Sequence, residues 1–365
     1  MSALTERRAR LVAAMREALV DTMVVYGNAW QGDYFRYVSG FRTLEGQGIA
    51  IVQHDGAISV YLDSDLDVER CGQDPEVHVI HAPGLLAQVD AALDRVGNHA
   101  LGAAPFRLLP RRLAVRSGAK AIADHTALLD HLLMVKSPAE LAAMRRAAVM
   151  ADAGYEVFRQ AARVGRADYE AIAEVERFYR SSGVEDNFMI IGVGGTEVRG
   201  MAPPTGRRIA KGDMVTTELT PCVDGYYAQI CRTLVAGEPN DEQNKAFQVY
   251  LDAMQAGIAV VRPGITAADI ARAENDVMRA HGLGAYVTSE YTRVRGHGLG
   301  LFPDTKPHIL EDVDTPIEEN MTLIVHPNTY HPAVGYMVLG DGLIVTATGS
   351  ECLVKTPRVL FSVSG

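Results

Sequence analysis

Glu218, Gln229 and Cys231 are the residues whose types and spacing first raise a chemical question. The stretch GYYAQICRTL, Gly225 to Leu234, alternates like a half-buried strand. It carries an amide at its centre and a thiol two residues on, so both side chains face the same way. Upstream, DMVTTELTPCVDG places a lone carboxylate, Glu218, on a run that reads as the partner strand, joined through a turn at Asp224-Gly225. Such a pair of strands aims its polar groups at one point. A metal site would want two carboxylates there, so the question is what chemistry a single carboxylate and an amide perform. Cys231 is a nucleophile candidate, although no base is evident beside it.

The elements that position these groups have to be large. A chain of 365 residues with 48% hydrophobic content exceeds what one core holds, and two domains are expected. The net charge of −10 argues against a nucleic-acid backbone or an anionic membrane as partner. The N-terminal MSALTERRARLVAAMREALVD is an amphipathic helix without an apolar signal core, and no apolar run approaches the ~18 residues of a membrane span. A cytoplasmic enzyme or small-molecule binder is expected. The four cysteines, Cys71, Cys222, Cys231 and Cys352, lack CxxC spacing, so neither a zinc knuckle nor a disulfide framework is indicated.

The first third alternates β-like runs (TMVVYG, GIAIVQ, AISVYLD, VHVIHA) with helical segments such as LLAQVDAALDRVG, the reading of a small α/β domain. Ser137-Pro138, with Glu140 in the first turn, starts a long helix. The boundary is placed near residue 130, giving domains 1–130 and 131–365. Beyond it the chain repeats: RVGRADYEAIAEVERFYRSSG from Arg163 and RPGITAADIARAENDVMRAHG from Arg262 run without gaps at an offset of 99 residues. Each follows a long helix and leads into strands. Two such halves suggest a pseudo-twofold α+β domain with a cleft between them.

Five segments in order, LLMVKSPAELAAMRRAA, KGDMVTTELTPCVDGYYAQICRTL, RGHGLGL, IEENMTLIVHPNTY and GDGLIVTATGSECLVKTPRVLF, resemble the pita-bread fold family of methionine aminopeptidase, prolidase, aminopeptidase P, creatinase and ectoine hydrolase. The resemblance covers nearly the whole chain. It implies an α+β fold: a pita-bread C-terminal domain with pseudo-twofold halves, plus a smaller α/β N-terminal domain of creatinase type. The family's metallopeptidases bind two metal ions through two Asp, one His and two Glu. Carried over, these positions fall on Glu218, Gln229, His297, His326 and Gly340. Only His297 is unchanged, and neither an amide nor a hydrogen can bridge two cations. The family's catalytic histidine falls on Met201, and two carboxylates of creatinase fall on Cys231 and Leu339.

The resemblance therefore implies a cleft rebuilt around a small polar organic group, with creatinase and ectoine hydrolase as family precedents. His326, His297 and Glu218 are the catalytic candidates, since an imidazole beside a carboxylate gives or takes a proton near neutrality. Gln229, Tyr227, His331 and Tyr336 are the substrate-binding candidates. His331 and His308 also read as satisfied rim residues in proline-rich loops. Phe41 and Arg42, in GDYFRYVSGFRTLEGQG, resemble the creatinase stretch that reaches substrate across a dimer, so a homodimer is expected. Arg42 reads there either as a carboxylate clamp or as a solvated surface arginine. The glycines of RGHGLGL and GVGGTEVRG match neither phosphate-loop nor dinucleotide spacing.

The expectation is a metal-independent hydrolase of a C–N bond in a small non-peptide substrate, such as an amidine, guanidino compound or cyclic amide. It would have no metal or other cofactor and would stand apart from the dinuclear metallopeptidases. The alternatives are a mononuclear metal enzyme built on Glu218, His297 and His326, a lyase or decarboxylase on the same scaffold, and a non-catalytic ligand-binding descendant.

Overall fold

A computed structural model of the chain describes residues 2–71, 74–96 and 100–363. It divides into two compact units, Met1–Leu133 with Ser137–Ala139, and Met134–Lys136 with Glu140–Gly365. Each of the apolar runs in the first third forms a strand. They are β1 (Thr22–Asn28), β2 (Gln47–Gln53), β3 (Ile58–Leu62) and β4 (His78–His81), joined by β5 (Leu101–Ala104) and β6 (Ile122–Asp124). The sheet order is β4-β3-β2-β1-β5-β6; the β1–β2–β3 meander is antiparallel and the outer pairings are parallel. The segment read from LLAQVDAALDRVG is helical over Leu85–Arg95, while Gly97 lies outside the described residues. This helix buries Leu85, Val89 and Leu93, four residues apart, against Val24, Ile49 and Ile51 of the sheet.

The second unit carries the two helix pairs anticipated by the repeat. Pro138–Ala161 is followed by Asp168–Ser181, and Asp241–Val260 by Ala267–Ala280. The later copies of both helices start from full capping boxes. Thr266 Oγ1 accepts from Asp269 N at 3.3 Å while Asp269 Oδ2 accepts from Thr266 N at 2.8 Å, and Asn240 and Gln243 do the same. At the equivalent start of the first copy, Ala167 has no side-chain acceptor, and only the Glu170 half of the box forms, at 2.7 Å.

Ten strands form the second sheet. Its main path runs β12 (Thr305–His308), β11 (Gly296–Gly298), β13 (Thr322–Val325), β16 (Gly340–Val345), β10 (Ile230–Ala236), β8 (Met214–Val223) and β7 (Asp186–Gly194). Off this path, β9 (Tyr226–Tyr227) pairs with β8, β17 (Ser350–Cys352) with β16 and β18 (Phe361–Val363) with β10. A separate hairpin joins β14 (Thr329–His331) to β15 (Gly335–Met337). The turn from β8 to β9 holds Asp224 at φ 51° and Gly225 at φ 84°, the left-handed pair that a tight hairpin requires. Tyr250, Met254, Ile270 and Met278 of the later helix pair pack with Leu323, Val325 and Leu343 of the sheet. The architecture is α+β, as the resemblance implies.

Candidate active site

Strand register brings the first residues singled out into one row. On the central strands, Ile190, Glu218, Cys231 and Gly340 stand side by side across β7, β8, β10 and β16. Gly340 is required where it stands, because a Cβ there would lie 2.6 Å from His326 Cβ and 3.3 Å from Cys231 Cβ. The row opens into a cavity of about 610 Å³, within the range of small-molecule sites. Glu218, Gln229, His297, His326 and Tyr336 all line it. Tyr227 and His331 do not: the Tyr227 hydroxyl donates to Asp186 at 2.8 Å, and His331 Nδ1 accepts from Ala333 N at 3.2 Å. Phe41 and Arg42 belong to the first unit, where the Arg70 guanidinium lies 4.8 Å over the Phe41 ring and Arg42 Nη2 donates to Ala29 O at 3.2 Å.

Glu218 is 9% exposed, and burial pushes its carboxyl up to about 7, against hydrogen bonds from Cys231 and Asn328 that favour the charged form. Asn328 Nδ2 donates to Glu218 Oε1 at 3.0 Å, and Asn328 Oδ1 accepts from Leu339 N at 3.2 Å. A backbone N–H can only donate, so this second bond fixes the amide with its NH₂ toward the carboxylate. Cys231 is fully buried beside Glu218, and burial drives its thiol well above the ordinary value. It is a neutral donor here, with Gln229 Nε2 3.4 Å from its sulfur, and the thiolate that a nucleophile needs is disfavoured.

The two histidines meet edge to face with ring centroids 5.4 Å apart. His297 Nδ1 lies 2.9 Å from Gly298 O. A carbonyl only accepts, so Nδ1 carries the proton and Nε2 of the neutral ring keeps its lone pair. Burial lowers both imidazoles, His326 to about 3 with the neighbouring His297 adding to the effect, and both are neutral at pH 7. His326 Nδ1 has no hydrogen-bond partner among the described residues. Asp304, which also lines the cavity, is held well below the usual carboxylate range despite its burial, by His308, His297 and Arg293. Asn328 and Asp304 were not singled out from sequence. Asn328 lies within IEENMTLIVHPNTY, two residues after His326, and Asp304 lies three residues after RGHGLGL, but only the folded loops show which way they turn.

The fit to two metal ions fails on geometry. A side chain at Gly340, where the metallopeptidases carry a bridging Glu, would collide with His326, and Gln229 presents an amide bound to a sulfur. Among the described residues, no group of three or more His, Cys, Asp or Glu side chains is placed to hold a metal ion, and this includes the mononuclear set of Glu218, His297 and His326. Among the described residues, no helix is long and apolar enough to cross a membrane.

Comparison with known proteins gives the lineage. The profile of Metallopeptidase family M24 matches residues 142–347. The Xaa-Pro dipeptidase of Pyrococcus horikoshii is 23% identical over 365 residues, covering 99% of this chain and 100% of that protein. The Xaa-Pro dipeptidase of Lactobacillus helveticus is 26% identical over 240 residues, 65% of this chain and 64% of that protein. Among solved structures, the X-Pro aminopeptidase of Thermotoga maritima superposes with a TM-score of 0.88 at 20% identity, covering 98% of this chain and 99% of that one. The prolidase of Pyrococcus furiosus gives 0.80 at 24% identity, covering 95% and 100%.

These matches overturn the expectation of a creatinase-like, metal-independent hydrolase of a non-peptide C–N bond standing apart from the metallopeptidases. The matching profile is a metallopeptidase profile, and these relatives are named for peptide substrates. That expectation generalised from a handful of exchanged ligand positions to a substrate class. Substrate class depends on the whole cleft wall, which ligand positions do not report.

Proposed function

We propose that this chain, which belongs to metallopeptidase family M24, is a hydrolase that takes a short peptide into the cavity beside β8 and β11 and breaks an amide bond there. The observation that carries the reading is Glu218. It is a buried carboxyl tuned to about 7, held by neutral donors and facing a peptide-sized cavity. A group of that pKa is half ionised at neutral pH, the state in which it works best as a general base.

Glu218 takes a proton from a water molecule as the water oxygen attacks the carbonyl carbon. It then returns that proton to the amide nitrogen as the C–N bond breaks, so the site ends in its starting state. His297 presents a bare Nε2 and His326 an unpartnered Nδ1, and as neutral rings they orient water and substrate through hydrogen bonds. Gln229 and the Tyr336 hydroxyl complete the polar lining. The names of the matching dipeptidases support a peptide substrate.

The test is hydrolysis of a panel of Xaa-Pro and other dipeptides, with and without an added divalent cation. We expect turnover in the wild type with an acid limb near pH 7, and a loss of ~100-fold or more in Glu218→Gln with unchanged circular dichroism. A wild type inert toward every dipeptide would remove the peptide reading; full turnover in Glu218→Gln would move the base elsewhere. The homodimer belongs to the same reading. Trp30 at 86% exposure and Leu44 at 59% flank Phe41 and Arg42 and supply an apolar contact surface. Sedimentation at micromolar concentration should give a dimer, and a fully active monomer would contradict it.

A further inference from the structure

A second, smaller cavity of about 280 Å³ shares Ser289, Thr292 and Val294 with the wall of the larger one. It is exposed at Thr288, Ser289 and Asp312 and buried at Asn275, Val294 and Arg295, which form its floor. The volume is well beyond the ~30 Å³ of one water molecule and just under the range of drug-sized sites, so it suits a ligand of a few heavy atoms. Two side chains of the floor keep unspent polar atoms. Arg295 is 1% exposed, and its Nη1 donates to Asn328 O at 3.0 Å. Nε and Nη2, which carry the parallel N–H groups along one edge of the guanidinium, have no hydrogen-bond partner among the described residues. Asn275 is 5% exposed, and its Nδ2 donates to Glu311 Oε1 at 2.7 Å. A carboxylate only accepts, so this bond fixes the amide and leaves Asn275 Oδ1 as a buried acceptor without a partner.

The charge of Arg295 is not offset in place. Glu274 is the acid whose field acts on it most strongly, yet both Glu274 oxygens lack a hydrogen-bond partner among the described residues. Burial pushes the Glu274 carboxyl well above the ordinary range, and in its protonated form it brings no counter-charge. A buried guanidinium without a counter-charge is costly, and an anion relieves that cost. The floor therefore asks a ligand for two things: a planar pair of acceptor oxygens for the Arg295 edge, and a donor for Asn275 Oδ1. Glu311 and Asp312, in the same wall, favour a donor that is positively charged. A simple inorganic anion meets only the first demand. A molecule with a carboxylate and an ammonium on adjacent atoms meets both.

We propose that this smaller cavity is a second ligand site, separate from the substrate cavity, and that it takes a small free α-amino acid. The ligand carboxylate lies on the Nε–Nη2 edge of Arg295, and the ammonium faces Asn275 Oδ1 and the wall of Glu311 and Asp312. Arg295 and Asn275 do not line the larger cavity. The inference stands independently of the hydrolysis proposed above, whose products belong to the same chemical class.

Equilibrium dialysis of the full chain with radiolabelled L-alanine tests it. Alaninamide lacks the negative end and N-acetylalanine the positive one, and each should displace the label about tenfold less well than unlabelled alanine, the size of one lost charge-assisted contact. Arg295→Gln should weaken alanine binding about tenfold or more. Asp312→Asn, at the exposed mouth, should weaken it about threefold, as expected of a solvated charge. Glu218→Gln, in the larger cavity, should leave it unchanged. Absence of saturable binding up to millimolar alanine would overturn the inference. So would a loss of binding in Glu218→Gln with none in Arg295→Gln, which would place the alanine in the larger cavity. Should Arg295→Gln fail to fold, Asn275→Ala and Asp312→Asn carry the test, and wild-type affinity in both would overturn the site.

Discussion

Asp341 and Glu218 are two carboxylates in the same sheet, almost equally removed from water, with opposite surroundings. Asp341, 1% exposed on β16, has Arg232 Nη2 at 2.8 Å on one oxygen and Arg358 Nε at 2.6 Å on the other. Arg232 is itself tied to the carbonyls of Gly340 and Thr356. Glu218 meets only neutral donors, the Asn328 amide and the Cys231 thiol, and its carboxyl is pushed up to about 7. A buried carboxylate paired with two guanidinium groups is compensated in place, whereas one left with neutral donors carries an uncompensated charge when it ionises. The sequence draws the same line. Asp341 is the neighbour of a family ligand position and points away from it, while Glu218 occupies such a position.

The comparison breaks or sharpens through substitution. Asp341→Ala leaves Arg232 buried and short of its carboxylate, and should cost about 3–5 kcal/mol in denaturant unfolding while kcat of the folded fraction is unchanged. Glu218→Gln should do the reverse, losing turnover and keeping the fold. A loss below ~1 kcal/mol for Asp341→Ala would mean that the ion pair is no more than packing and that the contrast has no energetic content.

A further effect comes from pH. His326 has a native value of about 3 against an ordinary 6.5, so between these limits the unfolded chain binds a proton that the native one refuses. Its contribution to stability is present above pH 6.5 and lost as pH falls toward 3. Glu218 has the opposite sign: its native carboxyl prefers the proton, so its contribution is present below about 4.5 and lost as pH rises through about 7. The two oppose each other between pH 4.5 and 6.5. His326→Gln should therefore lose less stability on acidification than the wild type, by up to about 1.4 kcal/mol per pH unit. Parallel wild-type and variant curves from pH 6.5 down to 4 would show that the His326 ring is protonated freely in the native state.

The elements were legible because their signals are local. The apolar runs of the first third became β1 to β4, Ser137-Pro138 opened a 24-residue helix, and the segments 99 residues apart each became a helix followed by strands. Periodicity, caps and the Asp224-Gly225 turn act over a few residues, and a sequence prints them directly. The row of Glu218, Cys231 and Gly340 was foreshadowed at its first two members, since strand pairing across a tight turn is nearly a local property.

What only the tertiary structure decided is of another kind. That Gly340 is a glycine because His326 lies against it follows from packing between residues on different strands. That Asn328 fixes Glu218 from 110 positions away depends on a contact no local pattern encodes. The ionisation states were likewise set by burial. By residue type His326 promised a base near neutrality, but its enclosure lowers it to about 3, while burial raises the Glu218 carboxyl to about 7. Residue identity fixes which protons can move, while desolvation and neighbouring charge, which exist only after folding, fix the pH at which they do.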